Sequence, residues 1–204
     1  MIPPQIIGLF PTPIYKNKLG RKLTQKELDL VKDTRAKCVP NRGNVTSADI
    51  DILSHPSFVD LKKEMDLFIK DYFSKIIFSS KSTFPYITQS WLNYTGVNEY
   101  HPPHNHSNSY LSAVFYIDAQ KAHDKIIFSD NKYDQIRIAF TKWSPFNSGT
   151  WAFAVESGDL MMFPSYLTHF VPKKEGNNTR ISLSFNVFVK GDLGDERQLT
   201  QLKL

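Results

Sequence analysis

Residues 87–94 read Ile87-Thr88-Gln89-Ser90-Trp91-Leu92-Asn93-Tyr94. Successive side chains of a β-strand point to opposite faces, so residues two positions apart share a face. The alternation in this segment therefore predicts a strand that carries Gln89, Trp91 and Asn93 on one face.

The rest of the second half of the chain has the same character, with short apolar or alternating runs separated by turns. We predict five further strands, at Tyr110 to Ile117, Lys125 to Ser129, Trp151 to Val155, Leu160 to Phe163 and Arg180 to Val189. The strand from Tyr110 to Ile117 has four residues on one face: Tyr110, Ser112, Val114 and Tyr116. Because no helical period intervenes, the pattern favours antiparallel β-structure, a sandwich or jelly roll.

The first half of the chain differs. Residues 6–15 contain two prolines and are expected to form an edge strand or a strap over the core. A capping box at Thr24 and Glu27 predicts a short helix toward Cys38, followed by a polar loop from Pro40 to Asp49. A second helix, capped by Ser57, is predicted from apolar residues at three- and four-residue steps: Phe58, Leu61, Met65, Phe68, Ile69, Tyr72, Phe73 and Ile76.

We therefore expect one α+β domain over residues 1–204, in which the strap and helices of residues 1–80 buttress a jelly-roll core of residues 84–190 and residues 191–204 form a tail. A chain that is 41% hydrophobic and 22% charged can bury a core without disulfides. No apolar run reaches 18 residues, the first residues lack the basic start of a secretory signal, and Cys38 is the single cysteine. These features predict a cytoplasmic protein with no membrane partner. The formal net charge of +5 is spread over scattered lysines, as on a solvated surface.

Three of the six histidines lie close together, at His101, His104 and His106. The prolines at 102 and 103 favour an extended chain, in which residues two apart lie about 6.6 Å apart on one side. His104 and His106 thus have the spacing of a chelating pair. A strand pair of the sandwich could bring His169 beside them as a third imidazole ligand.

Arg180 stands eleven residues after His169, and Ser182 lies on the same face of the predicted strand. The planar guanidinium of arginine pairs with a carboxylate through two parallel hydrogen bonds, and serine adds one donor. The two side chains would form a receptor for the distal carboxylate of a small dicarboxylic acid whose near end reaches the metal.

This order of residues resembles the iron(II)- and 2-oxoglutarate-dependent dioxygenases. More narrowly, nearly the whole chain resembles the 2-oxoglutarate–iron(II) oxygenases of bacteria and phages. The matching phrases are Leu-Phe-Pro-Thr-Pro at 9–13, Trp-Leu-Asn at 91–93, His-x-His-x-x-Ser-x-Leu-Ser at 104–112, Phe-Pro-x-x-x-x-His at 163–169 and Arg-x-Ser-x-Ser-x-Asn at 180–186.

The resemblance implies a double-stranded β-helix and an enzyme that uses iron(II), 2-oxoglutarate as co-substrate and O2. The implied reaction is hydroxylation with release of succinate and CO2. His104, His106 and His169 would hold the metal, and Arg180 and Ser182 would bind the far carboxylate of 2-oxoglutarate. Asn93 is a further candidate donor to 2-oxoglutarate, with a packing amide as the alternative.

The sequence departs from the usual pattern at His106, where most relatives of the wider superfamily carry Asp or Glu. Two other ligand sets therefore stay open, one with His101 in place of a member of the pair and one with the carboxylate of Glu99. Two other functions also stay open: a three-histidine cupin-like metal dioxygenase that does not use 2-oxoglutarate, and a metal-binding β-sandwich without activity. The primary substrate, whether peptide, nucleotide or metabolite, is not indicated, and neither is the oligomeric state.

Outside this set of residues the sequence predicts supporting roles. The insert from Asn131 to Thr150, which contains Asp134, Arg137 and Lys142, is expected to form a loop that could cover the site. The aromatic residues Trp91, Trp143, Phe146 and Trp151 are expected to belong to the core or to such a lid rather than to a substrate platform. Tyr110, Ser112 and Tyr116 are candidates for lining the pocket, with half-buried strand residues as the alternative.

Overall fold

The central element of the fold is a long strand at the end of the chain, flanked by two others. In a computed structural model, which describes residues 3–130 and 138–204, two α-helices, α1 (Gln25–Arg35) and α2 (Val59–Tyr72), precede most of the sheet. The strands of the described residues are β1 (Tyr15–Lys18), β2 (Cys38–Pro40), β3 (Val45–Ser47), β4 (Thr83–Thr95), β5 (His101–His104), β6 (Leu111–Asp118), β7 (Lys125–Ser129), β8 (Thr150–Ala154), β9 (Asp159–Pro164), β10 (Thr168–Val171), β11 (Arg180–Leu193) and β12 (Leu202–Lys203).

These strands form two antiparallel sheets. The larger sheet has the order β1-β9-β6-β11-β4-β3-β2, with β12 also paired to β11, and the smaller sheet has the order β5-β10-β7-β8. The two sheets form the double-stranded β-helix that was predicted, and the described strands do not close into a barrel.

The alternation of side chains along β11 shows how the larger sheet separates the core from a polar face. Leu183, Phe185 and Val187 are fully buried and belong to the main apolar core, which also contains the inner side of α2. The alternate positions, Ser182, Ser184 and Asn186, line a cavity on the opposite face. The apolar positions of β11 therefore anchor the helices, and the polar positions are left for the space between the sheets.

The capping box at the start of α1 is confirmed. The Glu27 backbone N–H donates to Thr24 Oγ1 at 3.4 Å, and the Thr24 backbone N–H donates to Glu27 Oε2 at 2.7 Å. Both guanidinium ends of Arg21 donate to the same carboxylate at 2.8 Å. The buried Glu27 thus ties the helix start to the preceding turn.

The predicted cap of α2 is wrong. A 3-10 turn at Pro56–Phe58 precedes the helix, and Ser57 donates its backbone N–H to His55 Nδ1 at 3.1 Å. The helix therefore begins at Val59, because the side chain of His55 accepts the hydrogen bond at this turn and proline occupies the first position. The predicted apolar stripe is buried as expected at Leu61, Met65, Ile69 and Tyr72.

Residues 40–49 were predicted to be a loop, and this prediction is also wrong. β2 and β3 form a hairpin that extends the larger sheet beside β4, with Val45 opposite Tyr94. Gly43 has a φ of +89° at the turn, and its carbonyl accepts a hydrogen bond from the Tyr100 backbone N–H at 3.0 Å. Strands of three residues are too short to show an alternation, so the sequence carries little signal for them.

Several other boundaries differ from the prediction. β1 pairs with β9 at the edge of the larger sheet, but it begins only at Tyr15, at the end of the predicted extended segment. β5, which contains two prolines, lies at the edge of the smaller sheet, where a missing backbone donor is tolerated. The predicted tail contains β12. No helix of the described residues is long and apolar enough to cross a membrane.

Part of the predicted covering loop, including Asp134 and Arg137, lies outside the described residues. Of its described part, Lys142 accepts a hydrogen bond at its carbonyl from Asn147 Nδ2 at 2.9 Å. The rings of Trp143 and Trp151 meet edge to face, 4.7 Å apart, and both side chains are about half exposed.

Candidate metal centre

The smaller sheet brings two distant parts of the chain together. β10 pairs with β5 in antiparallel register, and His169 lies opposite His104. β10 also pairs with β7, where Phe128 lies opposite His169. The pairing of two four-residue strands thus places the downstream histidine next to the His-x-His segment.

Three imidazoles form one cluster. One ring nitrogen from each of His104, His106 and His169 lies within 4.8 Å of those of the other two. The ring centroids are 4.2 Å apart for His104 and His169, 5.1 Å for His104 and His106, and 5.3 Å for His106 and His169. Such a cluster can hold a metal ion.

The hydrogen bonds of two rings define which nitrogen is free to bind a metal. His104 Nδ1 contacts the Pro102 carbonyl oxygen at 2.8 Å, and His169 Nδ1 contacts the Leu167 carbonyl oxygen at 3.0 Å. Because a carbonyl oxygen only accepts, each Nδ1 carries the proton and donates it, and each Nε2 keeps its lone pair for a metal. His106 is positioned through its backbone N–H, which donates to the Ser165 carbonyl at 3.0 Å.

The surroundings keep the imidazoles neutral. Burial, followed by the neighbouring His104, lowers the pKa of His169 to about 3 and that of His106 to about 4. Burial also lowers the pKa of His104, against the hydrogen bond to Pro102. The rings of Phe163 and Trp91, 4.6 Å from His169 and 5.8 Å from His106, contribute to this apolar shell. Neutral imidazole is the form that binds metals.

The two alternative ligands occupy other places. The ring of His101 lies 4.3 Å from that of His104 and lines the cavity, but His101 is outside the three-nitrogen cluster of the described residues. Its Nδ1 is buried and has no hydrogen-bond partner among the described residues. Glu99 Oε2 accepts from the Gly96 backbone N–H at 2.6 Å, which closes a turn. The described cluster therefore contains imidazoles and no carboxylate.

A cavity of about 390 Å³ extends from the histidines across the polar face of the larger sheet. Strand register assembles its wall: Arg180 lies opposite Thr95, and Ser182 lies between Asn93 of β4 and Tyr116 of β6. The residues that line it include His101, the three clustered histidines, Gln89, Trp91, Asn93, Thr95, Ser112, Tyr116, Arg180, Ser182, Ser184 and Asn186, together with Asn41, Asn44, Thr46, Ser47 and Ile50 from the region of the β2–β3 hairpin.

Arg180 is almost completely buried, with 4% of its surface exposed. Its Nη2 donates to Thr95 Oγ1 at 3.1 Å. Burial lowers the pKa of this guanidinium, while Tyr116 and Asp124 oppose the shift. Arg180 in turn contributes to the lowered pKa of His101, about 4, after burial and the neighbouring histidines. The guanidinium is thus within electrostatic reach of the histidine-lined end of the cavity.

Of the other residues predicted for the site, all but one line the cavity. Ser182 is buried at the cavity wall, and Asn93 also lines it but donates its Nδ2 to Ser184 Oγ at 3.0 Å, so its amide has a packing partner. Ser112 and Tyr116 line the cavity, whereas the ring of Tyr110 packs against Phe73 at 5.7 Å. Tyr110 therefore does not share the face predicted for it, because it precedes the first residue of β6.

Sequence reasoning missed two groups of residues near this site. The β2–β3 hairpin contributes Asn44, whose Nδ2 donates to Thr95 Oγ1 at 3.3 Å. Asp124 and Lys174 lie buried beside Arg180. In the sequence these residues look like ordinary loop residues, and only the adjacency of Lys173 and Lys174 was visible.

Comparison with known proteins relates this arrangement to a family. Residues 89–186 match the family model described as "Putative 2OG-Fe(II) oxygenase". No curated protein sequence matches the chain. The matched segment contains the histidine cluster, Arg180 and Ser182.

Solved structures with 10–13% sequence identity share the fold. The α-ketoglutarate-dependent epimerase SnoN from nogalamycin biosynthesis has a TM-score of 0.64 at 12% identity, with 88% of this chain and 79% of that chain covered. A prolyl hydroxylase from Trichoplax adhaerens, in complex with a hypoxia inducible factor peptide, has a TM-score of 0.59 at 13% identity, with 93% and 87% covered. HygX from Streptomyces hygroscopicus, with nickel and 2-oxoglutarate bound, has a TM-score of 0.55 at 10% identity, with 86% and 82% covered.

The sequence match covers the strands that build the site, and the structural matches cover most of the chain. The resemblance inferred from the motifs is therefore confirmed. The part of the chain that carries the three-histidine cluster, residues 89–186, matches the model of the 2OG-Fe(II) oxygenase family.

Proposed function

We propose that the protein is an iron(II)- and 2-oxoglutarate-dependent dioxygenase that hydroxylates a C–H bond of a primary substrate, with release of succinate and CO2. One observation supports this above all others: the three-imidazole cluster and the buried guanidinium of Arg180 line the same cavity.

His104, His106 and His169 would hold the metal. The donor set fits iron(II), because imidazole is a ligand that iron accepts and each of the three rings is held neutral by burial. HygX, whose structure holds nickel and 2-oxoglutarate, shares this fold. Three neutral ligands leave the full positive charge of the ion in the cavity, which favours an anionic co-substrate.

Arg180 would bind the distal carboxylate of 2-oxoglutarate, with Ser182 as a second donor. Thr95 Oγ1 accepts a hydrogen bond from Arg180 Nη2, which restrains the orientation of the guanidinium plane. Tyr116, opposite Ser182 in the register, has its pKa raised by burial and offers a neutral hydroxyl at the same wall. Asn93, held by Ser184, would donate less than predicted, since one of its amide hydrogens is already used.

Iron(II) with 2-oxoglutarate supplies the oxygen chemistry that oxidises a C–H bond. The chain's contribution is to exclude water and to orient the reactants. Phe163, Trp91 and Phe128 surround the imidazoles with aromatic rings, and the imidazole donors are held by main-chain carbonyls. The volume of about 390 Å³ lies within the range of about 300–1,000 Å³ for small-molecule pockets, which suits 2-oxoglutarate with a small substrate or one side chain of a larger one.

The test measures succinate formation and O2 uptake by the purified protein with iron(II), with and without 2-oxoglutarate. The proposal expects slow succinate formation that depends on both iron and 2-oxoglutarate, even without the primary substrate, and its loss in Arg180→Ala. Iron-dependent O2 uptake that ignores 2-oxoglutarate would instead indicate a three-histidine cupin-like dioxygenase. If no 2-oxoglutarate binds to the metal-loaded protein, a metal-binding module is the better description.

A further inference from the structure

Two buried charged residues, Asp124 and Lys174, lie next to Arg180 but outside the cavity wall. Asp124 and Lys174 are 1% and 2% exposed, and neither residue lines the cavity. Charged side chains are almost never buried to this extent unless they are paired. Asp124 and Lys174 are such a pair, with Asp124 Oδ1 3.5 Å from Lys174 Nζ.

The carboxylate of Asp124 is shared. Its Oδ2 accepts from the Gln120 backbone N–H at 2.8 Å. Its Oδ1 lies 3.5 Å from Lys174 Nζ and 3.7 Å from Arg180 Nη1, and accepts a hydrogen bond from none of the described residues. One anionic oxygen thus stands between two cations at nearly equal distances and is hydrogen-bonded to neither.

The ammonium of Lys174 is held independently of Arg180. Its Nζ donates to the Glu175 carbonyl at 2.9 Å and to Asn178 Oδ1 at 2.8 Å. Its backbone N–H donates to the Glu99 carbonyl at 2.8 Å, in the turn that leads into β5. The position of this ammonium is therefore set by the loop between β10 and β11 rather than by the cavity.

The charges do not cancel. Two cations and one carboxylate leave a net charge of +1 in a buried place, and of the two cations Arg180 is the one that faces the cavity. If Asp124 were paired with Arg180 alone, the guanidinium would already be neutralised and would bind a second carboxylate weakly. Lys174 offsets the charge of Asp124, so that Arg180 keeps most of its attraction for an incoming anion.

We infer that Lys174 is a positioning residue for the co-substrate: it balances the charge of Asp124, so that Arg180 remains free to bind the distal carboxylate of 2-oxoglutarate. This inference rests on the proposed function. A purely structural role for the pair makes a different prediction, because it gives no reason for the loss of Asp124 to repair the loss of Lys174.

The experiment measures the dissociation constant of 2-oxoglutarate by calorimetry, on protein loaded with zinc so that no turnover occurs. Five variants are compared with the original chain: Lys174→Met, Asp124→Asn, the double variant with both changes, Arg180→Ala, and Lys173→Met as the matched control. Lys173 is exposed and adjacent in sequence. Melting curves and zinc affinity show that each protein is folded and that the metal site is intact.

We expect Lys174→Met to weaken 2-oxoglutarate binding by at least about tenfold, because Asp124 then pairs with Arg180 alone. Asp124→Asn should bind as tightly as the original chain or several-fold more tightly, although it melts at a lower temperature. The double variant restores the net charge of +1 and should return to within about threefold of the original chain. Lys173→Met should not change the constant.

A double variant that binds no better than Lys174→Met, or an Asp124→Asn protein that is folded and binds 2-oxoglutarate more weakly, overturns the inference and leaves the proposed function standing. If Lys174→Met does not fold, Asp124→Asn and the double variant decide by the same criteria. If the original zinc-loaded chain does not bind 2-oxoglutarate, or binds it equally well as Arg180→Ala, the proposed function fails and the inference fails with it.

Discussion

His169 lies directly opposite His104 across the antiparallel pair of β10 and β5, and their ring centroids are 4.2 Å apart. The two residues are 65 positions apart in the chain, and each ring donates from Nδ1 to the carbonyl two residues before it. The same local hydrogen bond on both strands leaves both Nε2 atoms free to bind a metal.

Replacement of His104 or His169 by alanine is expected to abolish metal-dependent stabilisation. A ligand present at 100 times its dissociation constant stabilises the folded state by about 2.7 kcal/mol, so the original chain should melt several degrees higher with nickel or zinc than without. The measurement is the melting temperature with and without the metal. The exposed His123, replaced by alanine, is the control and should keep the shift. A full shift in His169→Ala would contradict the proposed ligand set.

His106→Asp tests the departure from the usual ligand pattern. An aspartate at this position supplies the carboxylate that most relatives of the wider superfamily carry, so the variant is expected to bind the metal where His106→Ala does not. The added negative charge lowers the positive charge of the loaded centre, and 2-oxoglutarate should bind several-fold more weakly. Metal-dependent melting and 2-oxoglutarate titration measure the two effects. Equal metal binding by the alanine and aspartate variants would show that His106 is not a ligand.

Arg180→Lys separates charge from geometry. Lysine keeps the positive charge but lacks the planar fork that pairs with a carboxylate through two hydrogen bonds. We expect the KM for 2-oxoglutarate to rise by about tenfold or more in Arg180→Lys, with metal affinity unchanged. In Arg180→Ala the KM should rise further. Arg197, which is exposed in the C-terminal segment, gives the matched control Arg197→Lys. An unchanged KM would exclude Arg180 as the carboxylate partner.

The metal-free protein is expected to lose stability in mild acid. The pKa of His101 and that of His106 are lowered from 6.5 to about 4, and that of His169 to about 3, chiefly by burial. The unfolded chain therefore binds protons before the folded chain does, and the free energy of unfolding falls as the pH drops from about 6.5 toward 4. Each histidine contributes at most about 1.4 kcal/mol per pH unit over this window.

Urea unfolding at pH 7.5, 6.5, 5.5 and 4.5 measures this dependence. His101→Asn removes one titrating group and should reduce the slope, while the exposed His123→Asn should not. A free energy of unfolding that is independent of pH between 6.5 and 4.5 would contradict the assignment of neutral buried imidazoles.

Thr24→Ala should destabilise the protein by about 1 kcal/mol, the usual effect of removing an N-cap hydroxyl. The loss reflects the hydrogen bond from the Glu27 backbone N–H, and Thr24→Ser is expected to keep most of it. Urea unfolding measures the difference. Gln25→Ala is the neighbouring control, since its side chain donates to Asp29 Oδ1 on the exposed face of the helix. Equal stability of the alanine and serine variants would show that the capping box contributes nothing.

The local features of this protein could be predicted from its sequence because their causes are local. Alternation on β4, β6 and β11, the capping box at Thr24 and the apolar stripe of α2 each depend on neighbouring residues. The His104–His106 spacing and the pair of Arg180 and Ser182 were visible for the same reason. The predicted start of α2 was wrong because the side chain of His55 accepts a hydrogen bond from the Ser57 backbone N–H.

Other features depend on contacts between residues far apart in the chain, and only the tertiary structure could decide them. The short strands of the β2–β3 hairpin are stabilised by β4, and their own three residues carry almost no signal. Burial of Asp124 and Lys174 arises because the loops after β6 and β10 meet behind Arg180. The sequence determined which chemical groups are present and on which face of each strand they lie, because side-chain direction repeats every two residues. Strand register decided which of those groups meet, because it depends on the packing of the whole sheet.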